Sequence, residues 1–288
     1  MRLAILGLGL IGGSVLRAAL DRRLASEVKG WDDSPAVLEA AREAGFGRHV
    51  APTLEEACAG ATMCLVAVPA RAVPTLVDRA RRAMPPGGVV TDTAGTKGWI
   101  AGEVRRLAQL PPGPRDGQAL PPFVGGHPMT GSERGGFAAS RADLFDGQPW
   151  IIVPEASQTP AARVETLVRG LGARPARASA ETHDRTLALT SHLPYLLAVA
   201  LAESAGKDRD TVAALAPFVA GGFRDSTRLA LQDPVMGLDM LTTNAAELTR
   251  ALAEVTAAAR AAIADRPADR FRRAREFRAE LGRLKQWP

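Results

Sequence analysis

The sequence predicts an α/β protein: a doubly wound, mostly parallel sheet followed by an all-helical domain. Three observations carry that reading. Short apolar runs alternate with helical patterns from residue 2 to about residue 178, as right-handed strand–helix–strand crossovers require. A glycine-rich turn joins the first strand to the first helix. From Glu181 onward strand signals vanish and long helical patterns follow one another. The 288-residue chain then divides into residues 1–178 and 179–288, in keeping with a prior of about 150 residues per domain.

Leu3 to Leu6 is a short apolar run bounded by glycine, which suits a parallel strand covered on both faces. Gly7-Leu-Gly9-Leu-Ile-Gly12 follows. In a nucleotide site the first glycine allows a tight turn, the second lets the backbone approach a pyrophosphate, and the third lets helix and strand pack closely. Leu10 and Ile11 open a helix running to Asp21, whose first amides and dipole point at the phosphates. A second strand, Glu27–Trp31, ends at Asp32, 20 residues after Gly12. That is the spacing of a carboxylate that binds the adenine ribose. It accepts hydrogen bonds from both ribose hydroxyls and repels a 2′-phosphate, and Asp33 adds a second negative charge. The sequence therefore predicts a Rossmann-type domain that takes NAD over NADP.

Ser34-Pro35 reads as the cap and first residue of a helix that stops at Gly45. A weak strand near His49-Val50, a short helix from Thr53, a buried strand within 61–68 and a helix over 70–84 come next. Pro85-Pro86-Gly87-Gly88 breaks that helix. A strand over 89–92, a helix over 97–107, an irregular surface loop over 110–122 and a strand from Phe123 follow. Strands at 150–153 and 174–178 flank a helix at 161–170. The helical half reads as 181–205, 209–219, 223–231, 234–264 and 267–285. Phe271, Ala274, Phe277, Leu281 and Leu284 form an apolar stripe on the last helix, either core or a dimer surface.

Composition narrows the function classes. Apolar content of 46% and charged content of 23% are those of a globular domain. The net charge of +5 invites a nucleic-acid reading, but the arginines are dispersed and only 5% of residues are aromatic, so no nucleic-acid partner is expected. The positive field suits an anionic substrate. Cys58 and Cys64 have neither metal-ligand nor disulfide-framework spacing and read as core thiols of a cytoplasmic protein, with no metal. Four glycines over residues 7–13 and Arg17 argue against a signal peptide. No uninterrupted apolar run reaches the ~18 residues of a membrane span, so no membrane partner is expected.

Ligands of an open parallel sheet bind beyond the carboxyl ends of its strands. The loops that converge there are Gly7–Gly12, Val68-Pro69-Ala70, the stretch from Asp92 to Lys97 with Thr93 and Thr96, and Gly126-His127-Pro128. Of the four histidines, His127 reaches this crevice, and an imidazole with a pKa near 6.5 suits proton transfer at neutral pH. His49 reads as a surface residue. His183 reads either as a helix-cap neighbour or as a site residue, and His192 either as a satisfied interdomain histidine or as a site residue.

Several motifs then fall in order: Gly7–Gly12 with Asp32, Gly125-Gly-His-Pro-Met-Thr-Gly-Ser-Glu133, Thr190-Ser-His-Leu-Pro194, Gly222-Phe-Arg-Asp-Ser-Thr-Arg228 and Asp233-Pro-Val-Met236. Together they resemble the prephenate/arogenate dehydrogenases of tyrosine biosynthesis, over nearly the whole chain. The resemblance implies a nucleotide-binding domain, a helical domain that forms a homodimer, and oxidative decarboxylation of prephenate or arogenate. It implies that His127 engages the C4 hydroxyl as the catalytic group, that Arg228 binds the substrate carboxylate through its guanidinium fork, that Glu133 gates or pairs within the site, and that Asp225 orients local charges. His192 and His183-Asp184 match family positions.

Three departures stand out. Gly95 lies where the family has a serine that hydrogen-bonds the catalytic histidine, leaving Thr93, Thr96 or a water as substitutes. Tyr195 replaces a second histidine after Ser-His-Leu-Pro and can donate to a carboxylate. Gly237 replaces a tryptophan. Another two-domain reductase of the β-hydroxyacid or imine-reducing kind is a second reading, against which His127 followed by Arg228 argues. An NAD-binding regulator without catalysis is a third.

Overall fold

The computed structural model describes residues 1–110, 119–131, 134–154, 158–206, 209–265 and 268–285. The nucleotide-binding half is built from β1 (Arg2–Leu6), α1 (Leu10–Asp21), β2 (Glu27–Trp31), α2 (Pro35–Ala41), α3 (Leu54–Cys58), β3 (Met63–Val66), α4 (Val73–Ala83), β4 (Val89–Asp92), α5 (Gly98–Ala108), β5 (Phe123–Pro128), β6 (Pro149–Val153), α6 (Gln158–Gly170) and β7 (Arg174–Arg177). The seven strands lie in the order β2-β1-β3-β4-β5-β6-β7. The chain moves outward from β1 to β2, then returns to place β3 on the other side of β1. That reversal opens the crevice where α/β sheets bind ligands.

β1 through β5 are parallel, but β6 runs antiparallel to β5, with β7 parallel to β6. The sheet is thus mostly parallel, as expected, with an antiparallel pairing between β5 and β6. Between β5 and β6 the described chain holds only the single 3-10 turn Phe137–Ala139. A parallel return needs a crossover of a dozen or more residues, usually a helix, whereas an antiparallel one does not. The loop expected over 110–122 falls largely outside the described residues.

Local departures have local causes. Ser34 starts α2, yet its side chain makes no cap bond. Instead its backbone amide donates to Asp32 Oδ1 at 2.9 Å, so the cap position serves to hold Asp32. Thr53 does cap α3, accepting from the Glu56 amide at 3.1 Å. The strand expected near His49-Val50 is reduced to one bridge between Gly30 and Val50.

Each face of the sheet carries its own apolar layer. Ile5, Leu65, Val15, Leu16, Trp150 and Phe145 pack on one side. Leu6, Val66, Cys64, Cys58, Val77 and Ile100 pack on the other. All four residues of β3 are buried, which explains its unbroken apolar run. Both cysteines are buried free thiols, as expected.

The helical half contains α7 (Ala180–Leu187), α8 (Leu193–Ala205), α9 (Arg209–Leu215), α10 (Gly221–Thr227), α11 (Pro234–Thr243), α12 (Ala245–Asp265) and α13 (Ala268–Lys285). A π-helical turn, Ala188–His192, fuses α7 and α8. The fused stretch has 26 residues and contains an 18-residue window with a mean hydropathy of 1.2, long and apolar enough by those measures to cross a bilayer. The uninterrupted-run criterion misses it because Glu181, His183, Asp184 and Arg185 break its start. Of these, His183 and Asp184 tie it to the nucleotide-binding half, as described below. The single long helix expected over 234–264 is two helices that meet at Asn244. Its side-chain amide donates to Asp184 O at 2.9 Å, so the break serves a tertiary bond. The buried core of this half is small, centred on Ala188, Leu193, Leu248 and Ala251. Leu189, Leu197, Leu201, Phe271, Phe277 and Leu284 are exposed, so the stripe on α13 is not core within one chain.

Removing a side chain from the two-sided sheet core leaves a cavity as well as losing burial. Leu65→Ala is expected to lower the unfolding free energy by about 2–5 kcal/mol. Urea titration checks this as a reduced midpoint at unchanged slope.

Candidate active site

The glycine turn is shaped for an anion. Gly7 has φ +93°, and a Cβ there would lie 2.3 Å from Ala67 O. At Gly12 a Cβ would lie 1.8 Å from Gly7 O, so the start of α1 and the end of β1 close only without a side chain. In front of Gly9 there is open space within 4 Å, and its position as the α1 cap carries no side-chain hydrogen bond. A phosphate can therefore approach this helix N-terminus closely. Leu10 and Ile11 begin α1 and pack against the core. Asp32 accepts from the Leu8 amide at 2.7 Å and the Ser34 amide at 2.9 Å, which pins its carboxylate to the glycine turn. Burial raises its pKa more than these bonds lower it, and Asp33 adds to the rise. Val68 and Pro69 follow β3 beside Gly7, and Thr93 follows β4 with its amide on Val66 O. These residues fit a dinucleotide.

Beyond β4 and β5 lies a second cluster. Lys97 is buried, and its ammonium donates to Asp92 Oδ2 and, at 2.7 Å, to Gly126 O. Asp92 Oδ1 accepts from the Gly126 amide at 2.9 Å, and Oδ2 also accepts from the Ala94 amide at 3.1 Å. A buried ion pair is tolerable only when its remaining groups are bonded, and this one locks the β4 loop onto β5. Burial still lowers the Lys97 pKa, with Asp92 and then Asp184 opposing.

His127 is the penultimate residue of β5 and is half-buried. Its Nδ1 lies 2.9 Å from His183 Nε2, and His183 Nδ1 lies 2.7 Å from Asp184 Oδ1. Asp184 also accepts from the Lys97 amide at 2.8 Å and the Gly98 amide at 2.7 Å. Burial favours a protonated Asp184, but the bonds from His183, Gly98 and Lys97 outweigh it and leave the carboxyl below its usual value. Burial drives the His127 pKa well below 6.5, with Lys97, His183 and His192 pushing the same way. A neutral, proton-accepting imidazole is the result. At Gly95 a Cβ would lie 3.9 Å from His127 Nε2 and Cε1, so the face of the ring opposite His183 looks onto room left by this glycine.

The other expected residues divide. His192 is buried, with Nδ1 3.1 Å from Asn244 Nδ2, a contact within the helical half. Thr96 does not replace the missing hydroxyl: it is buried and donates to Thr243 Oγ1 at 2.9 Å. Tyr195 is buried with its ring over Gly237, where a Cβ would sit 2.1 Å from the phenol oxygen. Arg228 opens a short 3-10 turn, Arg228–Leu231, and is exposed. Asp225 is exposed and pairs with Arg224 at 2.9 Å, not with groups of the cluster. Glu133 lies outside the described residues. Of the two readings of His183, helix-cap neighbour or site residue, its contacts fit the second. Ser179 caps α7 through the Thr182 amide at 3.0 Å, and His183 is the partner of His127. The adjacent acid at Asp184 was the available signal.

The fold and site define a two-domain, nucleotide-binding oxidoreductase. Residues 17–179 match the family model for the prephenate dehydrogenase nucleotide-binding domain, and residues 179–275 match that for the prephenate dehydrogenase dimerization domain. The chain is 32% identical to a cyclohexadienyl dehydrogenase of Zymomonas mobilis, over 85% of this chain and 82% of that protein. It is 29% identical to a prephenate dehydrogenase of Bacillus subtilis, over 83% of this chain but only 62% of that longer protein. In fold it is similar to the prephenate dehydrogenase of A. aeolicus, solved with hydroxyphenyl propionate and NAD+, at 21% identity, a TM-score of 0.83 and coverage of 99% and 98%. The chain belongs to the prephenate dehydrogenase family.

His192 is pulled from 6.5 to about 4, chiefly by burial, with Asp184 opposing and His183 adding to the fall. Its pKa is lower folded than unfolded, so its contribution is complete above pH ~6.5 and is lost as pH falls toward 4. The melting temperature should fall across that window, and His192→Gln should lessen the fall. Thermal melts between pH 4 and 8 check it.

Proposed function

We propose that this chain is a cytoplasmic, homodimeric NAD-dependent prephenate dehydrogenase, forming 4-hydroxyphenylpyruvate and carbon dioxide. The observation that carries the reading is His127. It is a neutral imidazole bonded through one nitrogen to His183, with its opposite side toward the room at Gly95, at the same carboxyl end of the parallel strands as the Gly7–Gly12 turn.

NAD, when bound, supplies the hydride acceptor. Gly7, Gly9 and Gly12 with Leu10 and Ile11 hold its pyrophosphate, Asp32 its ribose, and Val68, Pro69 and Thr93 border it. As the C4 hydrogen leaves as hydride, His127 takes the C4 hydroxyl proton and the oxygen becomes a carbonyl. The bond from the ring to the carboxylate then breaks, its electron pair enters the ring, and the oxygen recovers its proton as a phenol. Arg228 binds the substrate carboxylate. Glu133 and Tyr195 are assigned to the substrate side, whereas Thr96, His192 and Asp225 bond to Thr243, Asn244 and Arg224. The exposed apolar residues of α8 and α13 support association through the helical half.

Arogenate, which carries the same ring, is the second reading, favoured by the cyclohexadienyl dehydrogenase that matches over most of its length. Absorbance of NADH with each substrate decides between them, and silence with both overturns the proposal. KM for NAD is expected below that for NADP. His127→Asn should lower kcat by ~10²–10⁴-fold while cofactor binding, measured by calorimetry, persists. Arg228→Ala should act mainly by raising KM for the acid substrate, since it removes a charge-assisted contact. Steady-state kinetics check both.

A further inference from the structure

We propose that His183 and Asp184 act as a positioning relay for His127. Asp184 fixes the hydrogen of His183 on Nδ1, His183 Nε2 thereby fixes the hydrogen of His127 on Nδ1, and the lone pair of His127 Nε2 is left facing the substrate. His183 then takes the Nδ1 hydrogen when His127 accepts the substrate proton.

The order of donors follows from Asp184. Its carboxylate already accepts from the Lys97 and Gly98 amides, and an ionised carboxylate has no hydrogen to give. At 2.7 Å His183 Nδ1 must therefore be the donor. A neutral His183 then has only a lone pair on Nε2, so at 2.9 Å His127 Nδ1 must donate to it. Neutral imidazole carries one hydrogen, so His127 Nε2 is bare. The opposite arrangement places a hydrogen on His127 Nε2 and removes the base.

The same chain settles where the proton rests. Lys97, from the β4–α5 loop, and His183 and His192, from α7 and the π turn, all act against a positive His127, while Asp92 holds Lys97. Asp184, the acid of this cluster that bonds an imidazole, touches His183 and not His127. In the step, the substrate O–H bond breaks and a hydrogen bonds to His127 Nε2, while the His127 Nδ1 hydrogen passes to His183 Nε2. His127 ends neutral and His183 ends as an imidazolium against the Asp184 carboxylate. Both shifts reverse when the phenol regains its proton, so no net proton is gained or lost, and the hydride goes to the NAD of the proposed reaction. His183 touches His127 rather than the substrate, so it is a positioning residue.

The kinetic arm of the test rests on the proposed reaction, and the spectroscopic arm does not. Long-range proton–nitrogen correlation NMR on the free, ¹⁵N-histidine-labelled protein should show His127 as the Nδ1–H tautomer. In His183→Phe, which removes the acceptor, it should revert to Nε2–H. His183→Gln keeps an acceptor oxygen for His127 but cannot take its hydrogen, and it decides the matter should the phenylalanine variant not fold. The glutamine variant should retain the tautomer, lose kcat by ~10-fold or more at little change in KM, within the range of general acid–base effects, and move the acidic limb of the kcat profile to lower pH. An Nε2–H tautomer in the parent protein overturns the relay, as does parental kcat and pH profile in His183→Gln. The parental tautomer with no turnover of either substrate would instead remove the reaction reading and leave the relay standing.

Discussion

The Asp184 carboxylate is the constraint on which the rest of the structure turns. It belongs to the helical half, yet it caps a helix of the other half. α5 has no cap from its own side chains, and the Lys97 and Gly98 amides that begin it bond to Asp184 instead. Negative charge at a helix N-terminus is favourable electrostatically as well as through the bonds themselves. The approach demands Gly98, where a Cβ would lie 2.9 Å from Asp184 Oδ2. Two other ties close the same seam: Thr96 to Thr243, and Arg71 to the buried Asp239. The seam that holds the halves together is therefore also the one that aligns the imidazoles.

Much of the nucleotide-binding half was legible because its signals are local. The Gly7–Gly12 spacing and the distance to Asp32 reflect backbone sterics that any such turn must obey. The apolar runs at 3–6, 63–66 and 89–92 reflect burial on both faces. The antiparallel turn at β6 was not legible, because Trp150–Val153 reads the same in either direction and only the length and content of the connection decide. The break at Asn244 was hidden because helix propensity continues across it, and a tertiary bond overrode it. The pairing of His183 with His127 was hidden for a similar reason. Its chemistry comes from a residue 56 positions away, and adjacent sequence records only Asp184.

The departures at Tyr195 and Gly237 are joined in space. The phenol ring lies where a side chain at position 237 would project, so a large residue at one position excludes a large residue at the other. Gly95 has no such compensation. Thr96, the neighbouring hydroxyl, is committed to Thr243, and the room beside His127 Nε2 stays open. Orientation of the imidazole thus falls to the opposite side of the ring, to His183 and Asp184.

The Lys97–Asp92 pair has a consequence for surface chemistry. Acylating and carbamylating reagents need an accessible, uncharged amine. The Lys97 amine is enclosed on all sides and held by a carboxylate and a carbonyl, whereas Lys29 and Lys285 are not enclosed. Lys97 is thus a protected tag inside the folded chain, and its labelling rate is a clock for how often the loop after β4 lifts away from the sheet.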